Sequence, residues 1–219
     1  MKLLIYDLKR LPILLVGFVF LSFGIHLTRI STLGMAPWGV FHEGLVYQTG
    51  LSFGWITIIV GAIVLLLSVV FLKSKIGIGT ILNVLLVGAM IDFFETIIKI
   101  DNPGITEAVF VLVIGTLSMT FGRSLYIASR LGAGPRDGIF VGLARVSNLE
   151  VKYIKPIIDV TVFVFGLILG ATPGYGTLFI ALISGYLVQF YFKLLHFNPK
   201  TVRQNNIIDY TKKGISFTK

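Results

Sequence analysis

The chain has no cysteine, three histidines (His26, His42 and His196) and only 13% charged residues in a length of 219. The missing cysteines exclude disulfides, thiolate metal sites and a cysteine nucleophile. Without a His-Glu-x-x-His or Gly-x-Ser-x-Gly run, neither a zinc enzyme nor a nucleophile triad has a framework. No metal, cofactor or catalytic group is therefore expected. The shortage of charge is the most telling lack, because a water-soluble protein carries about 25% charged residues. Here 55% of the chain is hydrophobic and the mean hydropathy is +0.91. That composition excludes an ordinary soluble domain and makes the bilayer the solvent. Acidic residues are scarce too, 10 against 19 Lys and Arg. The basic excess does not point to nucleic acid, since it stands in short clusters between apolar runs, where anionic lipid headgroups would meet it.

Six apolar runs, approximately Leu11–Thr28, Phe53–Leu72, Ile76–Ile98, Ala108–Ser129, Tyr153–Gly170 and Thr177–Leu195, are each long enough to cross about 30 Å at 1.5 Å per residue. The expected fold is an all-α polytopic membrane protein of six transmembrane helices. Lys2, Lys9 and Arg10 precede the first run as they would in a signal peptide, but no small-residue cleavage site follows Gly24. Sixteen of the Lys and Arg residues fall in the amino terminus, residues 73–76, residues 130–155 and the tail from Lys193; the alternate connections hold only Arg29 and Lys99. The positive-inside bias places both termini on the cytoplasmic side of the membrane.

An internal repeat is the most informative feature. A shift of 98 lays Gly17 on Gly115, Phe23-Gly24 on Phe121-Gly122, Leu33-Gly34 on Leu131-Gly132, Pro37 on Pro135 and Gly44-Leu45 on Gly142-Leu143, with 10 of 29 positions from 17 to 45 identical. At a shift of 97, Gly77-x-Gly79-Thr80 falls on Gly174-x-Gly176-Thr177 and Gly88 on Gly185. Each half holds three spans, an odd number, so the second half is expected upside down relative to the first. That is the plan of many secondary transporters, although channels and proteins that move nothing also use it. The expected organisation is a cytoplasmic amino terminus (1–10), repeat 1 (11–99), an external linker (100–107), repeat 2 (108–195) and a basic cytoplasmic tail (196–219). The threonines Thr80 and Thr177 are expected to cap the third helix of each repeat.

After the first span of each half, Gly34-x-x-Pro37 and Gly132-x-x-Pro135 start a short helix of about 12–14 residues. Such a helix is too short to span; it either enters the bilayer partway or lies at the interface. Trp38, Phe41 and Leu45 share one face, with His42 and Glu43 off it. Gly39, Gly44, Gly138 and Gly142 are expected to permit close packing against the spans. The run Gly34-Met-Ala-Pro37-Trp38-Gly-Val40-Phe-His-Glu-Gly44-Leu45, with Gly77-Ile-Gly79-Thr80-x-x-Asn83, Gly88 and Asp92, resembles the YczE/YitT-type family of bacterial integral membrane proteins. The resemblance covers residues 11–195 and implies a plasma-membrane protein of five to six helices, with no reaction or substrate attached.

Ionisable groups inside spans are costly and point to function. Arg123 and Asp159 lie at matching depths and are expected to pair, with Arg136 and Asp137 extending the cluster; the pair serves either helix packing or an anion. Asp92 and Glu95, one turn apart, form a carboxylate pair near His26, Arg29 and Glu43, which suits a coupling ion or a proton relay. The candidate substrate residues are thus Arg123, Arg136, Asp137, Asp159, Pro37, Trp38 and Pro135, and the candidate coupling residues are Asp92, His26, Glu43 and Glu95. The tail carries six basic residues against Asp209, an expected contact for anionic lipid. Two functions remain open: a small transporter of an unidentified, anionic solute, or a non-transporting subunit that scaffolds a partner complex. The many small residues also allow a homodimer.

Overall fold

The computed structural model describes residues 8–74, 76–147 and 151–198. Among them the regular structure is entirely helical: α1 (Leu11–Ile30), α2 (Pro37–Thr49), α3 (Phe53–Val70), α4 (Ile78–Ile97), α5 (Ile105–Ala128), α6 (Pro135–Ser147), α7 (Val151–Ile168) and α8 (Tyr175–Leu194). Five of these, α1, α3, α4, α5 and α8, are long and apolar enough to cross a membrane. The expected fifth span, α7, has the length, but Lys152, Lys155 and Asp159 give it three charges in 18 residues. Helix ends agree with the sequence reading to within a few residues. The two short helices are 13 residues each. The amino-terminal Lys2 and the tail from residue 199 lie outside the described residues.

Local chemistry sets the ends. Pro37 opens α2, where its missing N–H leaves no bond unmade. Gly50, left-handed at φ 69°, ends it with its N–H on the Val46 carbonyl. Ser52 then caps α3 by accepting the Trp55 N–H at 3.1 Å.

In lipid, apolar surface does not drive helices together, so close backbone approach and interhelical hydrogen bonds must. The most extensive interface, α1 on α5, is made that way. Gly17 meets Gly122 and Tyr126, and Gly24 meets Gly115 and Met119, so the two helices run antiparallel. A Cβ at Gly17 would lie 2.7 Å from the Tyr126 nitrogen, and one at Gly115 2.9 Å from the Thr28 nitrogen. Ser22 donates to the Val87 carbonyl at 3.1 Å and Ser118 to the Phe20 carbonyl at 2.8 Å, joining α4 and α5 to α1.

Contacts recur with the halves exchanged. The Leu33 carbonyl accepts the Gly176 N–H at 2.7 Å, and the Leu131 carbonyl accepts the Gly79 N–H at 2.8 Å. Gly34 and Gly132, at φ 126° and 129°, turn the chain against Thr177 and Thr80 respectively. Likewise α2 packs on α7 and α6 on α3, each short helix against the second span of the other half. The halves are interleaved rather than side by side. One pair breaks the rule: α3 packs along α4, yet α7 does not pack along α8. A Cβ at Gly88 would meet Gly54 and Ile58, whereas one at Gly185, its counterpart, would meet nothing within 4 Å among the described residues beyond its own stretch of helix.

Candidate functional site

The short helices place the site. Along α2 the contacts on α7 advance in parallel: Trp38 meets Asp159, Val40 and Phe41 meet Gly166, and Gln48 donates to the Leu169 carbonyl at 2.9 Å. Asp159 is the ninth of the 18 residues of α7, so the start of α2 stands halfway along a full-length helix. On α3 the same Trp38 packs with Ile56, Val60 and Val64 around its midpoint. Among the described residues no side chain caps the α2 amino terminus, and its first turn has no acidic residue to offset the positive dipole end.

Arg136, second residue of α6, brings its guanidinium carbon to 4.6 Å from the Trp38 ring centroid. The Trp38 indole N–H donates to Asp159 Oδ1 at 3.1 Å, and Lys155 donates to Oδ2. Arg136 Nη2 also lies 3.1 Å from His42 Nε2. A guanidinium can only donate, so Nε2 accepts and the proton of a neutral His42 is on Nδ1. Nδ1 then donates to Thr57 Oγ1 at 3.0 Å, and Thr57 to the Phe53 carbonyl at 2.9 Å. His42 is 1% exposed, and every link of this chain has a partner.

Beside Trp38 opens a cavity of about 450 Å³. Phe41, Leu45 and Thr49 of α2, the α3 residues Ile56 to Val64 and Val162 of α7 wall it, with no polar surface.

A second cluster lies one level away. Arg29 donates from Nε to Glu43 at 2.9 Å and from Nη1 to Glu95 at 2.8 Å, with its guanidinium carbon 5.1 Å from the Phe53 ring centroid. One cation thus ties α1, α2, α4 and the start of α3. His26, fully buried on α1, places Nε2 2.9 Å from the Ile98 carbonyl at the end of α4.

Several expectations are corrected. Asp159 takes its bonds from Trp38 and Lys155, not Arg123; α5 and α7 are not packed neighbours, so the matching depths did not imply contact. Asp92 and Glu95 turn to different partners. Asp92 reaches Ser52 Oγ and, at 2.7 Å, the Gly54 N–H, capping α3 with its charge, while Glu95 turns to Arg29. Thr80 does cap its helix, accepting the Gly77 N–H at 3.1 Å and donating to Ala133, but the buried Thr177 hydroxyl has no partner among the described residues. Of the four glycines in the short helices, Gly44 packs on α7; Gly39 meets Met35 of its own turn, Gly138 makes ordinary contacts, and the Gly142 side lies outside the described residues. The Asp137 side chain is outside them as well.

Residues 8–193 match the model of a family of unknown function, DUF6198. The chain belongs to this family. An uncharacterized protein of Haemophilus influenzae is 32% identical over 187 residues, 85% of each chain. The uncharacterized membrane protein YczE of Bacillus subtilis is 30% identical over 175 residues, 80% of this chain and 81% of its own. The B. subtilis protein YyaS is 22% identical, over 86% of this chain and 96% of its own. No solved structure matches. The five apolar helices, the DUF6198 match and the similarity to the membrane protein YczE together make the chain a multi-pass membrane protein of a poorly characterised bacterial family.

Sequence reasoning found Trp38, Arg136 and Asp159 and set Arg136 in the Asp159 cluster, but not that Trp38 stands between them. It passed over His42, Thr57 and Lys155. His42, expected off the face that carries Trp38, stands four residues after it and hence on the same side of α2; that spacing was the available signal.

Proposed function

We propose that this DUF6198 protein is a small transporter of an organic anion in the bacterial plasma membrane, working as two inverted three-helix repeats with both termini cytoplasmic. The carrying observation is that positions 38 and 136, equivalent in the two halves, touch each other at the amino-terminal ends of the two short helices. Two half-length helices aiming positive ends at a midpoint, with an arginine between them, form a setting suited to an anionic group. The antiparallel α1–α5 pairing and the contacts that recur with halves exchanged support the inverted plan.

The asymmetry supports movement. Under an inverted repeat the two halves interchange conformations, so a contact closed in one and open in the other marks one of two states. Here α3–α4 is closed through Asp92, Gly54 and Gly88, and α7–α8 is open. An anion arriving at Arg136 competes with Asp159 for the Trp38 N–H and for Lys155, the cation that holds it, which makes Asp159 the coupling carboxylate.

The test is transport of a permanently charged probe, methanesulfonate, in proteoliposomes. The expected result is saturable uptake above that of empty liposomes, lost in Arg136→Gln and at least tenfold slower in Asp159→Asn. Uptake at the rate of empty liposomes, for this probe and for short carboxylates alike, contradicts the reading.

A further inference from the structure

We propose that the turn after α5 holds a binding site for the phosphate of an anionic phospholipid, with Arg130 as its anchor. The inference is independent of the transporter reading. One end of the molecule gathers the basic residues. Arg10 donates to the Ser129 carbonyl at 3.3 Å, which sets the start of α1 beside the end of α5. The Gly79 N–H on the Leu131 carbonyl brings the start of α4 there, and the Arg130 guanidinium carbon, 5.9 Å from the Phe197 ring centroid, brings the end of α8. The chain segments that begin or end here, residues 1–10, 73–76, 130–155 and 193–219, carry 16 Lys and Arg against four acids, Asp7, Asp137, Glu150 and Asp209. At the opposite end Arg29 and Lys99 stand against Glu43, Glu95, Asp101 and Glu107. The charge is complementary to an anionic headgroup at one end only.

Arg130 stands apart within this excess. Its Nε is buried with no hydrogen-bond partner among the described residues, while its guanidinium lies over the Phe197 ring. Stacking occupies the face of a guanidinium and leaves the N–H fork in its plane, the geometry that a phosphate takes. The turn itself does not call for arginine. Arg130 is left-handed at φ 64° with its N–H on the Ile127 carbonyl, and its repeat counterpart Thr32 makes the same turn at φ 59° with its N–H on Arg29. The surroundings select a lipid rather than a free anion. Packed chiefly on α5, α8 leaves Phe190 and Leu194 exposed beside Lys193 of its last turn, so acyl chains have an apolar bed next to the cations. A free phosphate would use no such bed.

Thermal unfolding of the full chain in detergent tests the site. Dioleoylphosphatidylglycerol should raise the melting temperature saturably, and dioleoylphosphatidylcholine should not. Arg130→Gln should need about tenfold more phosphatidylglycerol for half the effect, as expected for the loss of a charge-assisted hydrogen bond. Neutralising the tail with Lys200→Gln, Arg203→Gln, Lys212→Gln and Lys213→Gln together should leave the Arg130-dependent part unchanged. Arg130→Lys, which keeps the charge without the planar fork, should fall between, and it carries the test if Arg130→Gln does not fold. No response of the wild type to phosphatidylglycerol, or the same half-effect concentration in the wild type and the Arg130 variants, overturns the proposal. A response abolished by the tail variant alone does so too, since the tail then does the binding. Sodium phosphate giving the same Arg130-dependent shift shows a free-anion site instead, and an equal response to phosphatidylcholine removes the role of charge; either overturns the lipid assignment.

Discussion

The guanidinium of Arg136 stacks on the ring of Trp38, and the two residues hold the same place in the two halves of the chain. Under the proposed inverted plan, equivalent positions that touch lie on the axis relating the halves. At that point the sequence differs most usefully, one half supplying an aromatic face and the other a cation. A desolvated pair of this kind contributes about 2 kcal/mol.

Trp38 therefore has two separable roles. Phe at position 38 keeps a ring under Arg136 but loses the N–H to Asp159; Ala loses both. The melting temperature should fall in the order wild type, Trp38→Phe, Trp38→Ala, with the first step worth about 1–2 kcal/mol for a carboxylate deprived of a donor. Identical melting of the two variants would show that the ring face contributes nothing.

Arg29 is the centre of its cluster, with side-chain exposures of 20% for Arg29, 14% for Glu43 and 42% for Glu95. Arg29→Gln strands two carboxylates and should cost about 3 kcal/mol. Glu95→Gln, at the exposed edge, should cost less than about 1 kcal/mol. Thermal unfolding in detergent decides the order, and equal losses would contradict the geometry.

Thr80 and Thr177 are repeat partners with opposite hydrogen bonding. Thr80→Val removes a cap and an interhelical bond and should cost about 1–2 kcal/mol. Thr177→Val replaces a buried hydroxyl that has no partner among the described residues and should be neutral or stabilising. The difference between the two melting temperatures is the measured quantity, and a Thr177→Val loss as large as that of Thr80→Val would contradict the assignment.

Gly185 faces open space in this state, so Gly185→Leu should leave the melting temperature unchanged. If α8 must close on α7 during transport, the same variant should lose most methanesulfonate uptake, as Gly88 is pressed against Gly54 and Ile58 in the closed half. Normal uptake with normal stability would remove the need for closure.

Much of the fold was legible because its signals are local and periodic. Long apolar runs marked the spans, and Gly34-x-x-Pro37 with Gly132-x-x-Pro135 marked both short helices. The repeat also indicated which residues are counterparts. What could not be read was which helices are neighbours. Arg123 and Asp159 match in depth but stand on helices that do not pack together, and Asp92 and Glu95 share a helical turn yet serve different partners. Depth and spacing fix a residue along and around its own helix; pairing depends on glycine contacts such as Gly24–Gly115 that bring particular backbones together. Lys155 was counted only as a topogenic charge, although one turn separates it from Asp159.

The central claim is that the open α7–α8 pair is one of two states. The natural chain has no cysteine, so Pro156→Cys with Gly185→Cys gives two unique sites for spin labels, at the counterparts of Ile58 and Gly88. Electron–electron distance measurements in nanodiscs should show a long-distance population and a short one, the latter expected for helices packed about 8–10 Å apart, with methanesulfonate shifting their ratio. A single long distance, unchanged by the anion, would contradict the two-state account.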